Sequence, residues 1–308
     1  MYDLDRLLDL TSRTYALTIP FLPEPTRREV AVAYLLMRVV DTFEDAEVWP
    51  ASERCEVLDA FGALLHFEAA PDLAAAEALA ARLDADPPSS HAGYRELLHE
   101  LPGLLADLAA IDRPQRAQIA RHTQKMIDGM KATLRASAAR DGAIALTSLA
   151  ELRDYCYFVA GLVGEMLTEL MLLDAPQLSP AAAELRASAR LFGEALQLTN
   201  ILKDSRADAA EGRSFLPDEA RRAEAFALAR ADLRRAVGYI EALQAHGAPA
   251  GYLGFTAFPV KLAIATLRLV EEKGPGHKIG RDAVGRALSD LQAALDSGAR
   301  PVPEIDAL

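Results

Sequence analysis

Apolar residues recur at intervals of three and four along almost the whole chain, set in a background of Ala, Leu, Arg and Glu, and this period predicts helix after helix. No run of alternating apolar and polar residues predicts a strand. Thr26 with Glu29 reads as a capping box that opens a helix running towards Val48. Ser148 with Glu151 reads as another, opening a helix through Leu173. Ser179-Pro180 places a cap before a proline and starts a helix that reaches about Asp208. The Ala-rich stretch from Ala69 to Ala85 is also helical in pattern. Breaks are expected at Pro23-Glu24-Pro25, Pro87-Pro88-Ser89-Ser90, Gly247-Ala248-Pro249 and Gly274-Pro275-Gly276. None is long enough for a linker, and no solenoid period is visible, so residues 1–308 read as one all-α domain with 297–308 as a loose tail.

Composition narrows the classes. Hydrophobic residues make up 51% of the 308, enough for a sizeable core. The formal net charge of −12 argues against a nucleic-acid partner, which needs a basic stripe. Cys55 and Cys156 show neither metal-ligand spacing nor a disulfide framework, and the N-terminus has no basic-then-apolar leader pattern, so a cytoplasmic protein is expected. The most apolar stretch, Tyr155 to Leu173, contains Glu165 and Glu169 and reads as a buried helix, not a membrane span.

Two carboxylate pairs then change the picture. Asp41 and Asp45, and Asp204 and Asp208, are each four residues apart within apolar helical segments, which stacks each pair on one face. Like charges so placed repel, and a hard cation such as Mg²⁺, held by oxygen ligands and shared with a substrate phosphate, would relieve them. Arg38, Lys203 and Arg213 lie beside the pairs as anion clamps, and Arg13 precedes an apolar segment. Such a site suits ionisation of an allylic diphosphate, whose cation needs a dry, partly aromatic cavity. Each residue also has an ordinary reading. A lone pair of this spacing is commonly a solvated face. Gly161 and Gly164 suit a helix contact as well as a cavity wall. Tyr155, Phe158, Phe255 and Phe258 suit a core, and Gln197 and Asn200 suit backbone hydrogen bonds.

At these residues the chain resembles the squalene and phytoene synthase family. The matching segments are Ser12-Arg13-Thr14-Tyr15-Ala16-Leu17, Tyr34 through Asp45, Tyr155 through Gly164, Gln197 through Pro217, and Phe255-Thr256-Ala257-Phe258-Pro259. The Asp41-Thr42-Phe43-Glu44-Asp45 form is similar to the squalene synthase version of the first motif. The resemblance implies a single-domain isoprenoid synthase (class I terpenoid synthase) helical bundle around a deep central cavity, with the two aspartate motifs on facing helices. It implies head-to-head (1′-1) condensation of two farnesyl diphosphates to presqualene diphosphate and on to squalene, with Mg²⁺ as metal and NADPH as reductant. Asp41, Glu44, Asp45, Asp204 and Asp208 are then the metal ligands. Ser12, Arg13, Thr14, Arg38, Lys203 and Arg213 bind diphosphate. Tyr155, Tyr34, Phe255, Gln197 and Asn200 line the reacting end, and Ala160, Gly161 and Gly164 wall the cavity.

Departures from the family pattern leave other products open. Gly274 through Arg281, with Lys278 as its cofactor-binding residue, only loosely resembles the basic loop used for NADPH. Presqualene diphosphate, dehydrosqualene or phytoene made without reduction are the near alternatives, and prenyl transfer to an aromatic acceptor is the more distant one. The chain ends Glu304-Ile305-Asp306-Ala307-Leu308, without the apolar anchor of the eukaryotic enzymes. This is similar to a soluble form that touches the inner face of the membrane peripherally and transiently to release product.

Overall fold

Helix follows the apolar period wherever that period is strong. In this computed structural model, residues 2–12, 15–65, 68, 70–138, 145–216 and 218–308 are described. They fall into two compact units, Met1–Pro20 with Glu24–Gly142, and Phe21–Pro23 with Ala143–Leu308, where the sequence read as one domain. Among the described residues there is no strand; an isolated bridge joins Ala145 to Ser214.

The first unit holds α1 (Leu4–Thr11), α2 (Tyr15–Thr18), α3 (Thr26–Glu44), α4 (Ala51–Gly62), α5 (Leu73–Ala85), α6 (Ala92–His99), α7 (Leu101–Ala110) and α8 (Arg113–Ala138). Its centre is α3, which packs on α1, α4, α6, α7 and α8 and is therefore apolar around most of its circumference. Thr26 is the first helical residue and not a cap, and α3 stops at Glu44, four residues short of Val48, with Asp45 closing its last turn. Beyond that turn Trp49 is buried again, its indole N–H donating to Asp86 at 2.9 Å.

The second unit holds α9 (Leu149–Cys156), α10 (Leu162–Asp174), α11 (Ala182–Ala210), α12 (Glu219–Ala245), α13 (Ala250–Lys273) and α14 (Arg281–Ser297). Ser148 caps α9 as expected, its hydroxyl accepting from the Glu151 N–H at 3.2 Å. The Glu151 carboxylate accepts from the N–H of Thr147 at 2.6 Å and from its hydroxyl at 3.0 Å. Tyr157–Gly161 winds as a π turn between α9 and α10, a break that apolar periodicity does not reveal. Ser179-Pro180 lies in a 3₁₀ turn, and α11 begins at Ala182. This helix is the unit's axis, contacting α9, the π turn, α10, α12 and α13.

Residues 297–308, expected to be loose, are docked. Lys261 of α13 is buried against Glu304, Arg268 donates to the Glu304 carbonyl at 2.6 Å, and Val302 and Ile305 are buried. A lysine buried within a core helix requires a carboxylate partner, and the tail supplies it. Leu149–Asp174 and Ala250–Lys273 are long and apolar enough to cross a membrane, yet 78% of the apolar window of the second is buried inside the protein, as in a core helix.

Candidate active site

From Glu29 to Asp45 every residue of α3 is buried except Tyr34, Arg38, Asp41 and Asp45. These four follow i, i+4, i+7, i+11, a single polar stripe on an otherwise buried helix. They are also linked. The Tyr34 hydroxyl donates to the Thr11 carbonyl at 3.3 Å and accepts from Arg38 Nη2 at 3.0 Å. Arg38 Nη1 lies 3.3 Å from Asp41 Oδ2. The Arg38 guanidinium sits over two rings, 5.4 Å from the centroid of Tyr34 and 6.0 Å from that of Tyr94. Burial pushes the Asp41 carboxyl up to about 7; Arg38 opposes this and Asp45 adds to it. Burial likewise pushes the Tyr15 phenol, whose ring is 5.3 Å from that of Tyr34, up to about 12.

Glu44, expected among the metal ligands, is only 5% exposed and faces the buried side of α3, off the Tyr34–Asp45 stripe. Ser12 uses its hydroxyl as the cap of α2, accepting from the N–H groups of Tyr15 at 2.9 Å and Ala16 at 3.3 Å. Arg13 and Thr14 lie outside the described residues.

In the second unit α11 repeats the theme. Gln197, Asn200, Asp204 and Asp208 follow i, i+3, i+7, i+11 and are all at least partly exposed, while Leu198, Thr199, Ile201 and Leu202 are buried. Lys203 Nζ is 3.1 Å from Asp204 Oδ2 and donates to Asn200 Oδ1 at 3.0 Å. Gly212, at φ +78°, reverses the chain after α11, so that the Arg213 N–H donates to the Asp208 carbonyl at 2.8 Å. The same turn sets Arg213 Nη2 3.6 Å from Asp208 Oδ1 and beside Glu211. The loop carrying Lys278 docks here, its Gly276 N–H donating to the Lys203 carbonyl at 2.7 Å; Lys278 itself is exposed.

Tyr155 is half-buried and stacks on Phe215, with ring centroids 4.8 Å apart. Phe255 is buried in α13. Gly161 and Gly164, expected to wall the cavity, lie where the π turn and α10 pack on α11. A Cβ on Gly164 would strike the Ala189 carbonyl oxygen of α11, and one on Gly161 would meet the Tyr157 ring at 2.9 Å. Reciprocally, a Cβ on Gly193 would strike the carbonyl of Ala160. These positions are small because two helix backbones cross there.

Three features escaped the sequence reading. They are Tyr94 over Arg38, Arg222 donating to Ser205 Oγ at 3.1 Å between the two aspartates of α11, and a buried ion cluster around Glu194. No motif or spacing marks the first two. Glu194 had a signal: it is an acid inside the apolar run that precedes Gln197.

Both aspartate pairs occupy C-terminal parts of their helices, and neither last turn contains a basic residue. The helix dipole is negative at that end and favours cations, so carboxylates placed there call for further positive charge beside them. Their oxygen-only donor set suits Mg²⁺. Among the described residues no three His, Cys, Asp or Glu side chains gather as a self-sufficient metal site. That fits an ion held by one or two carboxylates and completed by water and substrate phosphate.

Comparison with known proteins identifies the family. The sequence model of the family described as squalene/phytoene synthase matches residues 8–225, which spans both motifs. The squalene synthase of Mycosarcoma maydis is 33% identical over 222 residues, 71% of this chain and 36% of its own. That of Eremothecium gossypii is 32% identical over 220 residues, 70% and 45%. The match thus spans less than half the length of these curated relatives. The solved complex of TcSQS with the ligand E5700 superposes with a TM-score of 0.70 at 25% identity, over 95% of this chain and 87% of the other. The squalene synthase HpnC from Alicyclobacillus acidocaldarius, at 17% identity and a TM-score of 0.51, shares the fold. With its all-α fold and both carboxylate stripes, the chain belongs to the squalene/phytoene synthase family.

Proposed function

We propose that this chain is a prenyltransferase that condenses two farnesyl diphosphates head to head to presqualene diphosphate and carries that intermediate on to squalene. The observation that carries the reading is the pair of carboxylate stripes at helix C-termini, each with cationic side chains beside it. Asp41 and Asp45 in one unit, and Asp204 and Asp208 in the other, hold Mg²⁺ in this reading. An ion held by these carboxylates would supply charge neutralisation to a diphosphate leaving group. Arg38, Lys203 and Arg213 bind the diphosphate oxygens directly, and release of diphosphate with the bonding pair leaves an allylic cation. Tyr155, Phe215 and Phe255 supply aromatic surface to that cation and exclude water. The second substrate's C2=C3 double bond attacks C1 of that cation, and transfer of a proton from the same C1 to the released diphosphate leaves the bonding pair to close the cyclopropane on C3. Tyr34, whose hydroxyl is held by Arg38, and Gln197 and Asn200 orient the reacting end.

NADPH, when bound, supplies the two electrons of the reductive step. Lys278 and Arg281, exposed around the start of α14, are the cations suited to its phosphates. The product is a C30 hydrocarbon, and peripheral contact with a lipid surface would follow from its insolubility.

The test is mass spectrometry of products from farnesyl diphosphate and Mg²⁺, with and without NADPH. Squalene only when NADPH is present is the expected result. Presqualene diphosphate or dehydrosqualene under both conditions would remove the reductive half, and no C30 product would overturn the reading.

A further inference from the structure

One turn before Gln197, on the same side of α11 as the second carboxylate stripe, lies a charged group for which the proposed chemistry has no use. Glu194 is fully buried. Its Oε2 accepts from Arg153 Nη2 of α9 at 2.8 Å, and its Oε1 pairs with Arg190 of α11. Arg153 Nη2 also lies 3.7 Å from Asp232 Oδ2 of α12. Two guanidiniums and two carboxylates thus form an electrically balanced cluster joining α9, α11 and α12. A carboxylate with no contact to water persists only when its partners are fixed.

The cluster continues into the π turn. The Arg190 guanidinium lies 4.6 Å from the centroid of Tyr157, and the Tyr157 hydroxyl donates to Glu165 at 3.3 Å. At the same crossing, Gly164 and Gly193 bring the backbones of the π-turn segment and α11 together. Tyr155, between Arg153 and Tyr157 in sequence, projects to Phe215. A side chain fixed from both ends of this segment fixes the backbone that carries Tyr155.

We infer that Glu194 is a positioning residue: through Arg153 and Arg190 it locks the α9–π-turn segment carrying Tyr155 against α11, setting the aromatic face of the site relative to Gln197, Asn200 and Asp204. The kinetic part of this inference rests on the proposed prenyl condensation, whereas the structural part does not. Tyr155 and the π turn keep one orientation because the cluster is anchored on three helices. With Gln in place of Glu194, shape and one acceptor remain, but the charge that holds two guanidiniums is gone. Segment 157–164 then samples more than one arrangement while the helices persist. Misplacement of an aromatic face slows a cation reaction without weakening diphosphate binding, which is made elsewhere on the stripe.

The experiment uses the full chain in two arms. Hydrogen–deuterium exchange is measured on ligand-free wild type and Glu194→Gln, with thermal melting as a check on folding. We expect exchange over residues 157–164 to quicken about tenfold in the variant, with the first-unit helices unchanged. In the kinetic arm, with farnesyl diphosphate and Mg²⁺, we expect kcat to fall about tenfold, KM to stay within about twofold, and Glu194→Asp to recover part of the loss. If Glu194→Gln does not accumulate, Arg153→Lys is put through both arms with the same expectation. Unchanged exchange over 157–164 would overturn the inference. So would exchange that quickens uniformly with the melt, or a rise in KM at constant kcat. Wild type that makes no C30 product would remove the proposed function and leave the exchange arm to decide on the clamp.

Discussion

The two carboxylate pairs use the same spacing among different neighbours. From Glu29 onwards on α3, Tyr34, Arg38, Asp41 and Asp45 form a narrow polar seam among buried residues, and burial, with Asp45 adding to it and Arg38 opposing it, drives the Asp41 carboxyl towards neutrality. On α11 the cations arrive from the neighbouring residue and from the turn after the helix. The α3 stripe is steadied by aromatic rings around one guanidinium. The α11 stripe is steadied from below by a buried ion cluster and a glycine-lined helix crossing. The neighbours of each carboxylate pair, and not its spacing, therefore decide how it is held.

The sharpest way to break the comparison is to neutralise one carboxylate in each stripe. Asp41→Asn and Asp204→Asn are each expected to lower turnover by about two to three orders of magnitude, the cost of losing a preorganised charge at a reacting centre. Helical content and solubility should stay at wild-type levels in both, since neither side chain carries core packing. Near-normal Mg²⁺-dependent activity in one variant would show that only the other stripe holds metal.

The next effect belongs to the second unit alone. Burial pushes the Asp232 carboxyl up to about 6, with Arg153 opposing the shift, Glu194 adding to it and Arg190 opposing it more weakly. The folded state therefore holds a proton that the unfolded chain releases between its ordinary value of 3.8 and about 6. Where the native state binds more protons, stability falls as pH rises. Below that window the group contributes nothing, and above it the full cost remains, on the order of 2–3 kcal/mol at roughly 1.4 kcal/mol per pH unit. Denaturant unfolding of wild type and Asp232→Asn across this window should show wild type losing that amount relative to the variant. Parallel curves would mean that the carboxyl is ionised throughout.

How far the sequence disclosed all this can be judged from particular residues. Helical class, the start of α9 and both aspartate stripes were legible, because a 3.6-residue period and a cap are local properties. That Glu44 lies on the buried side of α3 is not legible from spacing, which says which residues share a face and not which face is buried. The π turn, the crossing at Gly164 and Gly193, and the docked tail held by Lys261 depend on partners distant in sequence. The tail in particular read as loose because two prolines mask the buried Val302 and Ile305. Tyr94 was invisible for the same reason: it lies more than fifty residues from the arginine that it faces.

That tyrosine gives the finest test of the contrast between the stripes. Arg38 sits between the Tyr34 ring, one turn before it on α3, and the Tyr94 ring, on α6. A half-buried guanidinium gains about 0.5–1 kcal/mol from such a face. Tyr94→Leu keeps the apolar bulk and removes the ring, so Arg38 should lose that increment of orientation towards diphosphate. We expect KM for farnesyl diphosphate to rise about two- to fivefold with kcat unchanged, the signature of weakened binding in ground and transition states alike. Tyr94→Phe should restore wild-type KM if the ring, 6.0 Å from the guanidinium, carries the effect. The corresponding cation on α11, Lys203, is held by Asn200 and Asp204 without an aromatic face, so Asn200→Leu is its counterpart. If Tyr94→Leu leaves KM where it was, the aromatic seam is packing alone, and Arg38 is oriented by Tyr34 and Asp41.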